Sequence, residues 1–432
     1  MHPYLSQTAS LDLALIGNCT VAALVAPDGG MQWAALPRLD SPPLFHALLQ
    51  SAEGVPRLGQ WRIDLAETCE VKQRYLPNTA ILVTELRDAR GDGIAIHDFA
   101  PRFVHLGRMF RPAQLVRRVF PLQGHPRIRV SFQPVSDWGR GTVQVSRGSH
   151  HLRYDLGGEA WRLNTNAPIT YVADGTWFSL REPMSFLLGP DESLQGPIDE
   201  TARMFEERTT ETWQGWSRRL AIPLAWQEAV IRSAITLKLC QFEETGAIVA
   251  AMTTSLPEAA HSGRNWDYRY CWLRDAFFVV RALNSLSEVG TMESYLRWLR
   301  DIVARSRDGH IQPLYGIGLE ETLTETTLDH LSGYRGMGPV RVGNQAYEHF
   351  QHDVYGNIVL GAAQAFHDQR LLHPADLADF HSLEAVGEQA WRLHDQPDAG
   401  MWELRTRARV HTSSSLMCWA ACDRLAKIAR AL

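Results

Sequence analysis

The chain lacks the features that mark several large functional classes. No window approaches the ~18 consecutive apolar residues that a membrane-spanning helix requires, and the start, Met1-His2-Pro3-Tyr4, is not a basic segment followed by an apolar run. There is no Lys/Arg block, and 43 basic against 48 acidic residues leave a formal charge of −5. These features argue against nucleic acid or membrane as a partner and favour a neutral ligand. Cysteine is sparse. Cys19, Cys69, Cys240, Cys271, Cys418 and Cys422 show neither CxxC nor metal-finger spacing, so free buried thiols in a cytoplasmic protein are expected. A phosphate loop, a GxSxG elbow and a dinucleotide fingerprint are all missing, as are internal repeats and low-complexity segments.

What is present points to two domains, because 432 residues exceed what one core usually supports. Up to about residue 193, short apolar runs alternate with polar residues and are cut by Gly, Pro and Asp turns, the pattern of a β-sandwich. Residues 127–133 are the clearest strand. Residues 21–25 and 31–36 flank Pro27-Asp28-Gly29-Gly30, residues 81–86 and 94–98 flank an Asp/Gly-rich turn, and both pairs read as hairpins. From about residue 197 the spacing becomes helical, with later helices expected near 271–288, 291–306, 350–367, 376–394 and 414–431. The longest intervening loop, 308–344, is rich in Gly, Tyr, Arg and carboxylates, and loops of that length usually carry function.

The densest cluster is Asn265-Trp266-Asp267-Tyr268-Arg269-Tyr270-Cys271-Trp272-Leu273-Arg274-Asp275, at the start of an apolar helix. Charges beside aromatic faces are costly unless they pair or meet a polar ligand, and ring faces next to fixed carboxylates suit a neutral sugar. The 14 tryptophans support ring stacking weakly, since most tryptophan serves packing. Asp275 falls in a first helical turn, where capping alone would explain it. With Arg274, Asp267 and Arg269 nearby, the charged set exceeds what a cap needs, and an acceptor beside a forked donor matches a pair of sugar hydroxyls.

A second cluster, Gly400-Met401-Trp402-Glu403-Leu404-Arg405, puts a carboxylate directly after an indole. Shielding by Trp402 would raise the pKa of Glu403 and keep it protonated for general-acid work, although a surface glutamate on a loop explains the same letters. Glu348, His349, His352 and Asp353 have one-turn spacing, but no HExxH pattern or complementary ligand accompanies them, so neither a metal nor a cofactor is expected. Cys418 and Cys422 share a helix face and read as core packing.

Several further stretches join these two: Ile16-Gly17-Asn18-Cys19, Asp40-Ser41-Pro42, Asp329-His330-Leu331-Ser332-Gly333-Tyr334-Arg335-Gly336, Pro339-Val340-Arg341-Val342-Gly343-Asn344, Asp353-Val354-Tyr355-Gly356 and Met417-Cys418-Trp419. Together the chain resembles the bacterial glucoamylase and trehalase-like glycoside hydrolases of family 15. The resemblance implies a multidomain β + α fold. An N-terminal β-supersandwich (1–195) would lead through a linker helix (196–222) into an α/α six-hairpin toroid (223–432), here incomplete. It implies inverting hydrolysis of α-glucosidic bonds in an oligosaccharide or disaccharide. Glu403 would be the general acid, Arg274 and Asp275 would hold glucose hydroxyls, and Trp272, Trp402, Arg341 and Asn344 would shape or contact the sugar.

The chain departs from that pattern in one respect. Inversion needs a second carboxylate roughly 6.5–9.5 Å from the first, and no counterpart of the family's late base motif follows Glu403. About six core helices stand where the family barrel has twice as many. The expectation is a truncated chain, poorly hydrolytic by itself, with a non-catalytic carbohydrate-binding or assembly protein as the alternative. Ser413-Ser414-Ser415 and Asn357 stand where many relatives have a Lys and a Glu. These changes leave the linkage open, and self-association as a homo-oligomer is open as well.

Overall fold

The computed structural model describes residues 10–51, 58–306 and 309–432; Met1 to Tyr4 and Asp308, used above, lie outside them. Its N-terminal region is rich in β-sheet and its C-terminal region is helical. One antiparallel sheet runs in the order Ala14–Gly17, Ala22–Val25, Met31–Ala35, Gln60–Leu65, Arg127–Gln133, Phe178–Ser179, with Pro43–Phe45 added against Met31–Ala35. A second runs Gln144–Arg147, His151–Asp155, Ala160–Thr165, Met184–Pro190, Leu115–Gln123, Gly93–Phe99, Leu82–Asp88, Thr68–Tyr75. Both expected hairpins form.

Side chains from the two sheets share one core, including Ile16, Trp61 and Ile63 from the first and Ile94, Val119 and Phe186 from the second. Alternation along Leu115–Gln123 shows how both faces of the second sheet are used: Leu115 and Val119 enter that core, while Val116 packs outward. Arg117 also points inward, fully buried, and pairs with Asp98 at 2.7 Å. After a short helix, α1 (Ile169–Asp174), the outer face is covered by α2 (Ile198–Ser217), whose Ala202 and Phe205 meet Phe99, Val116 and Leu187. A sheet covered on both sides keeps few exposed positions, which explains runs such as Ile94-Ala95-Ile96.

The remaining helices are α3 (Gln227–Leu239), α4 (Leu273–Ser285), α5 (Gly290–Arg305), α6 (Asp353–Ala363), α7 (Leu377–Leu393) and α8 (Thr412–Ala431). They agree closely with the periodicity of the sequence. The apolar faces of α3 to α8 contribute to one core, with Ile235, Leu283, Leu299, Ile358, Val386 and Ala421 among its fully or nearly buried members. Among the described residues, no helix is long and apolar enough to cross a membrane. The six cysteines are free; Cys19, Cys271 and Cys418 are buried, whereas Cys69, Cys240 and Cys422 are only partly so.

Several contacts join the two regions; Arg38–Glu320 at 3.1 Å and Arg232 Nη1 on Thr79 O at 2.9 Å are among them, and three larger ties follow. The long loop before Asn344 packs Leu328, Leu331, Tyr334 and Val340 against Trp33, Leu48, Leu49 and Trp138 of the sandwich. Gly333 N–H donates to Leu49 O at 2.8 Å, and glycine is needed there because φ is 80° and a Cβ would sit 2.7 Å from Gly338 N in the same loop. The loop thus serves first to seat one region on the other. The second tie is Arg269, fully buried, which pairs with Asp267 at 2.7 Å and donates to the carbonyls of Asp40 and Ser41.

The third tie is Glu243. Its N–H donates to Cys19 O, and its carboxylate receives both Nη groups of Arg102, at 2.8 and 2.7 Å, with Lys238 Nζ 3.0 Å away. Burial would raise its pKa, but Lys238 and Arg102 outweigh that and hold it at about 2, against an ordinary 4.5. A depressed carboxylate contributes stability that is complete above the unfolded value and is lost as pH falls through the folded one. The contribution should therefore fade between pH 4.5 and about 2, by on the order of 3 kcal/mol. Glu243→Gln is expected to be less stable at pH 7, with the gap to the parent closing across that window. Urea midpoints measured against pH would show it, and a constant gap would contradict it.

Candidate active site

The motif at 265–275 is divided by backbone geometry. Asn265–Asp267 pairs with Thr254–Pro257, and Cys271–Trp272 pairs with Leu314–Tyr315 just before α4 begins. In the extended stretch Trp266 and Tyr268 turn to a pocket, as Trp272 does, while Asn265, Asp267 and Arg269 turn inward and are buried. Asn265 donates to the carbonyls of Met337 and Pro339. Asp267 and Arg269 therefore serve the junction between regions and do not join a sugar-binding charge set.

The pocket encloses about 220 Å³. Its walls include Trp272, Arg274, Asp275, Trp402 and Glu403, so the two clusters singled out in the sequence meet although 131 residues separate Trp272 from Glu403. Trp272 is 2% exposed, and its indole Nε1–H donates to Glu403 Oε1 at 2.6 Å. Arg274 Nη2 lies 3.6 Å from the same oxygen. Arg274 also reaches down through Nη1 to Asp353 Oδ2 and Gln351 Oε1, both at 3.1 Å, and Asn357 donates to Asp353 from one turn further along α6. One guanidinium thus spans the pocket wall and the buried start of α6.

Asp275 occupies the first turn of α4, where the helix dipole favours a carboxylate. Its Oδ2 is 3.9 Å from Arg274 Nε, and 47% of its side chain is exposed towards the opening. The pocket walls partly desolvate it and raise its pKa; Arg274 opposes the rise and the charge of Glu403 adds to it. Glu403 stands in a tight turn in which Leu404 N donates to Ala399 O, and its own φ is 54°. For a side chain larger than glycine that left-handed conformation costs roughly 1 kcal/mol or more, so surrounding contacts must hold it.

The shielding indole is not the one expected. Trp402 lines the pocket but is 73% exposed, because the turn directs it outward, and Trp272 is the indole bonded to Glu403. Arg341 and Asn344 are not brought to the pocket wall. Arg341 stacks on Trp266 at 4.5 Å and donates to the carbonyls of Gly263 and Asn265. Asn344 is buried, caps the turn Gln345–Glu348 by accepting from Ala346 N, and donates to Asp267 O.

Other wall residues were given no role from the sequence: Glu258 and Arg264 carried no distinctive signal, and Arg405 only closed the second cluster. Glu258 accepts from Tyr268 Oη at 3.0 Å and Arg264 Nε at 2.6 Å. Partial burial would raise its pKa, but these two donors outweigh that and lower it, keeping it ionised. Arg405 stacks on Trp266 at 3.8 Å and donates both Nη groups to Glu325. Only folding brings residues 258, 264, 325 and 405 around Trp266. Asp353, one of the candidate metal residues, is instead committed to Arg274.

The chain resembles known proteins along most of its length. Residues 225–432 match the family described as Glycosyl hydrolases family 15, and residues 6–184 match the family described as Trehalase-like, N-terminal. The trehalase of Thermoplasma acidophilum is 32% identical over 417 residues, covering 95% of this chain and 70% of that protein. The chain belongs to glycosyl hydrolases family 15. The trehalase of Mycobacterium tuberculosis is also 32% identical, over 97% of this chain, and "Trehalase 2" of Sulfolobus acidocaldarius is 25% identical over 98%. The chain spans 64% of the length of the Mycobacterium tuberculosis protein and 66% of the trehalases of Mycolicibacterium smegmatis and Thermoplasma volcanium. Within this family-15 chain, the Arg274–Asp353 pair can be probed directly. Arg274→Met would leave the Asp353 carboxylate, 4% exposed, without its cation, at an expected cost of about 3–5 kcal/mol. Adding Asp353→Asn should recover part of that loss in urea unfolding; full additivity would mean that the pair is not coupled.

Proposed function

We propose that this chain carries the proton-donating half of a site that hydrolyses an α-glucosidic bond in a neutral disaccharide or short oligosaccharide. Glu403 is the general acid, and Arg274 and Asp275 hold hydroxyls of the terminal glucose. Trp272 and Trp402 shape the space around it. The observation that carries this reading is the convergence of Trp272, Arg274 and Asp275 with Glu403 on one pocket, with the indole and guanidinium directed at a single carboxylate oxygen. Arg341 supports from behind, through Trp266.

Trehalose is the favoured substrate, because the relatives described above are all named trehalases. A sugar lacks charge, and Arg274, Arg264 and Arg405 are each already matched by a carboxylate, which suits a neutral ligand. We read residues 1–195 as the supersandwich, 196–222 as the linker and 223–432 as part of an α/α toroid. Support comes from the position of α2 between the last strand of the second sheet and the single core formed by α3 to α8. The reading assigns no residue of this sequence as the water-activating base, so the 432-residue chain is expected to bind sugar and release glucose slowly or not at all.

Calorimetric titration with glucose, maltose and trehalose tests the site. Trehalose should bind, Arg274→Ala should weaken it by at least about tenfold, and Glu403→Gln should bind nearly as well as the parent while losing whatever turnover the parent has. Absence of binding by all three sugars would remove the pocket from consideration. Turnover surviving in Glu403→Gln would remove the acid.

A further inference from the structure

The turn that carries Glu403 is anchored by a buried carboxylate. Asp398, 1% exposed, accepts from Gly400 N at 3.1 Å through Oδ1, and through Oδ2 from His352 N at 2.8 Å and Ser414 Oγ at 2.7 Å. Three elements therefore converge on one carboxylate: the turn itself, the residue preceding α6, and the first turn of α8. The backbone of Asp398 adds a two-way bridge to Arg409, at 2.9 and 3.0 Å, which closes the loop between α7 and α8, and Ala399 N donates to Phe350 O. Gly400 has φ 67°, and a Cβ there would lie 2.7 Å from His411 Nε2, so the turn is fitted closely around the anchor.

The same residue, His352, is followed by Asp353, which holds Arg274. We propose that Asp398 is a positioning residue: its carboxylate fixes the turn to the start of α6, so that Glu403 and Arg274 keep their relative places. The inference that this matters for turnover rests on Glu403 being the proton donor; the geometric part does not. Asp398 is not one of the residues lining the pocket and acts through the turn and the start of α6. An asparagine in its place has one oxygen and an NH₂ group that cannot accept, so it loses one side of the clamp while keeping the shape.

The indole N–H of Trp272 reports the position of Glu403 directly, because it donates to that carboxylate. In the full chain labelled with ¹⁵N-tryptophan, its resonance is assigned by Trp272→Phe and its sensitivity to the acceptor is calibrated by Glu403→Gln. Asp398→Asn is expected to shift the resonance in the same sense as Glu403→Gln, and Ser414→Ala, which leaves both N–H partners, to shift it less. Should Asp398→Asn fail to fold, Ser414→Ala carries the test alone. A Trp272 resonance unchanged in the folded variants while Glu403→Gln moves it would overturn the proposal. Where glucose release is measurable, Asp398→Asn should lower kcat by about a hundredfold with little change in KM, whereas loss through KM alone would refute positioning. A shifted resonance in a chain that binds no sugar would uphold the clamp and defeat the general-acid reading.

Discussion

The arrangement of the pocket depends on one guanidinium that cannot leave its place. Arg274 is held from below by Asp353 and Gln351, and what remains of its fork is directed at Glu403, with Asp275 beside Nε. A planar cation with five donors can satisfy several acceptors at fixed angles, which a lysine cannot do. Burial of the pair makes separation costly. The carboxylates on the wall therefore inherit their geometry from a group anchored in the helix core, and the pocket is preorganised by charge as much as by shape.

The junction between the two regions is built from the same chemistry. Arg269 and Glu243 each combine a buried ion pair with hydrogen bonds to the other region's backbone, while Leu328, Leu331 and Tyr334 supply the apolar contact. Apolar contact is non-directional, whereas a guanidinium seated on the carbonyls of Asp40 and Ser41 fixes orientation. The N-terminal sheets thereby set the position of the stretch that ends at Asp275.

Much of this was legible in the sequence. The helical period located α4 to α8 to within a few residues because their apolar faces are regular, and Arg127–Gln133 was clear because it alternates. Glu403 and the Arg274-Asp275 pair stood out through the charges beside aromatics. What could not be read was direction. Nothing in the letters says that Trp402 turns outward while Trp272 bonds to Glu403, or that Asn344 spends both ends of its amide inside the fold. Glu258 and Arg264 were missed, and Arg405 was given no role within its cluster, for a related reason: each is an ordinary surface-type residue until tertiary structure gathers it around Trp266.

The alternation within 265–269 carries a consequence for how this stretch can vary. Because neighbouring side chains leave the chain on opposite sides, inserting or deleting one residue would exchange the two sets. Asp267 and Arg269 would be turned out into the cleft, and indole and phenol rings would be pressed against Asp40 and Ser41. Replacement of individual letters is thus a local event here, whereas a change in spacing alters the pocket lining and the seating of the two regions at one stroke.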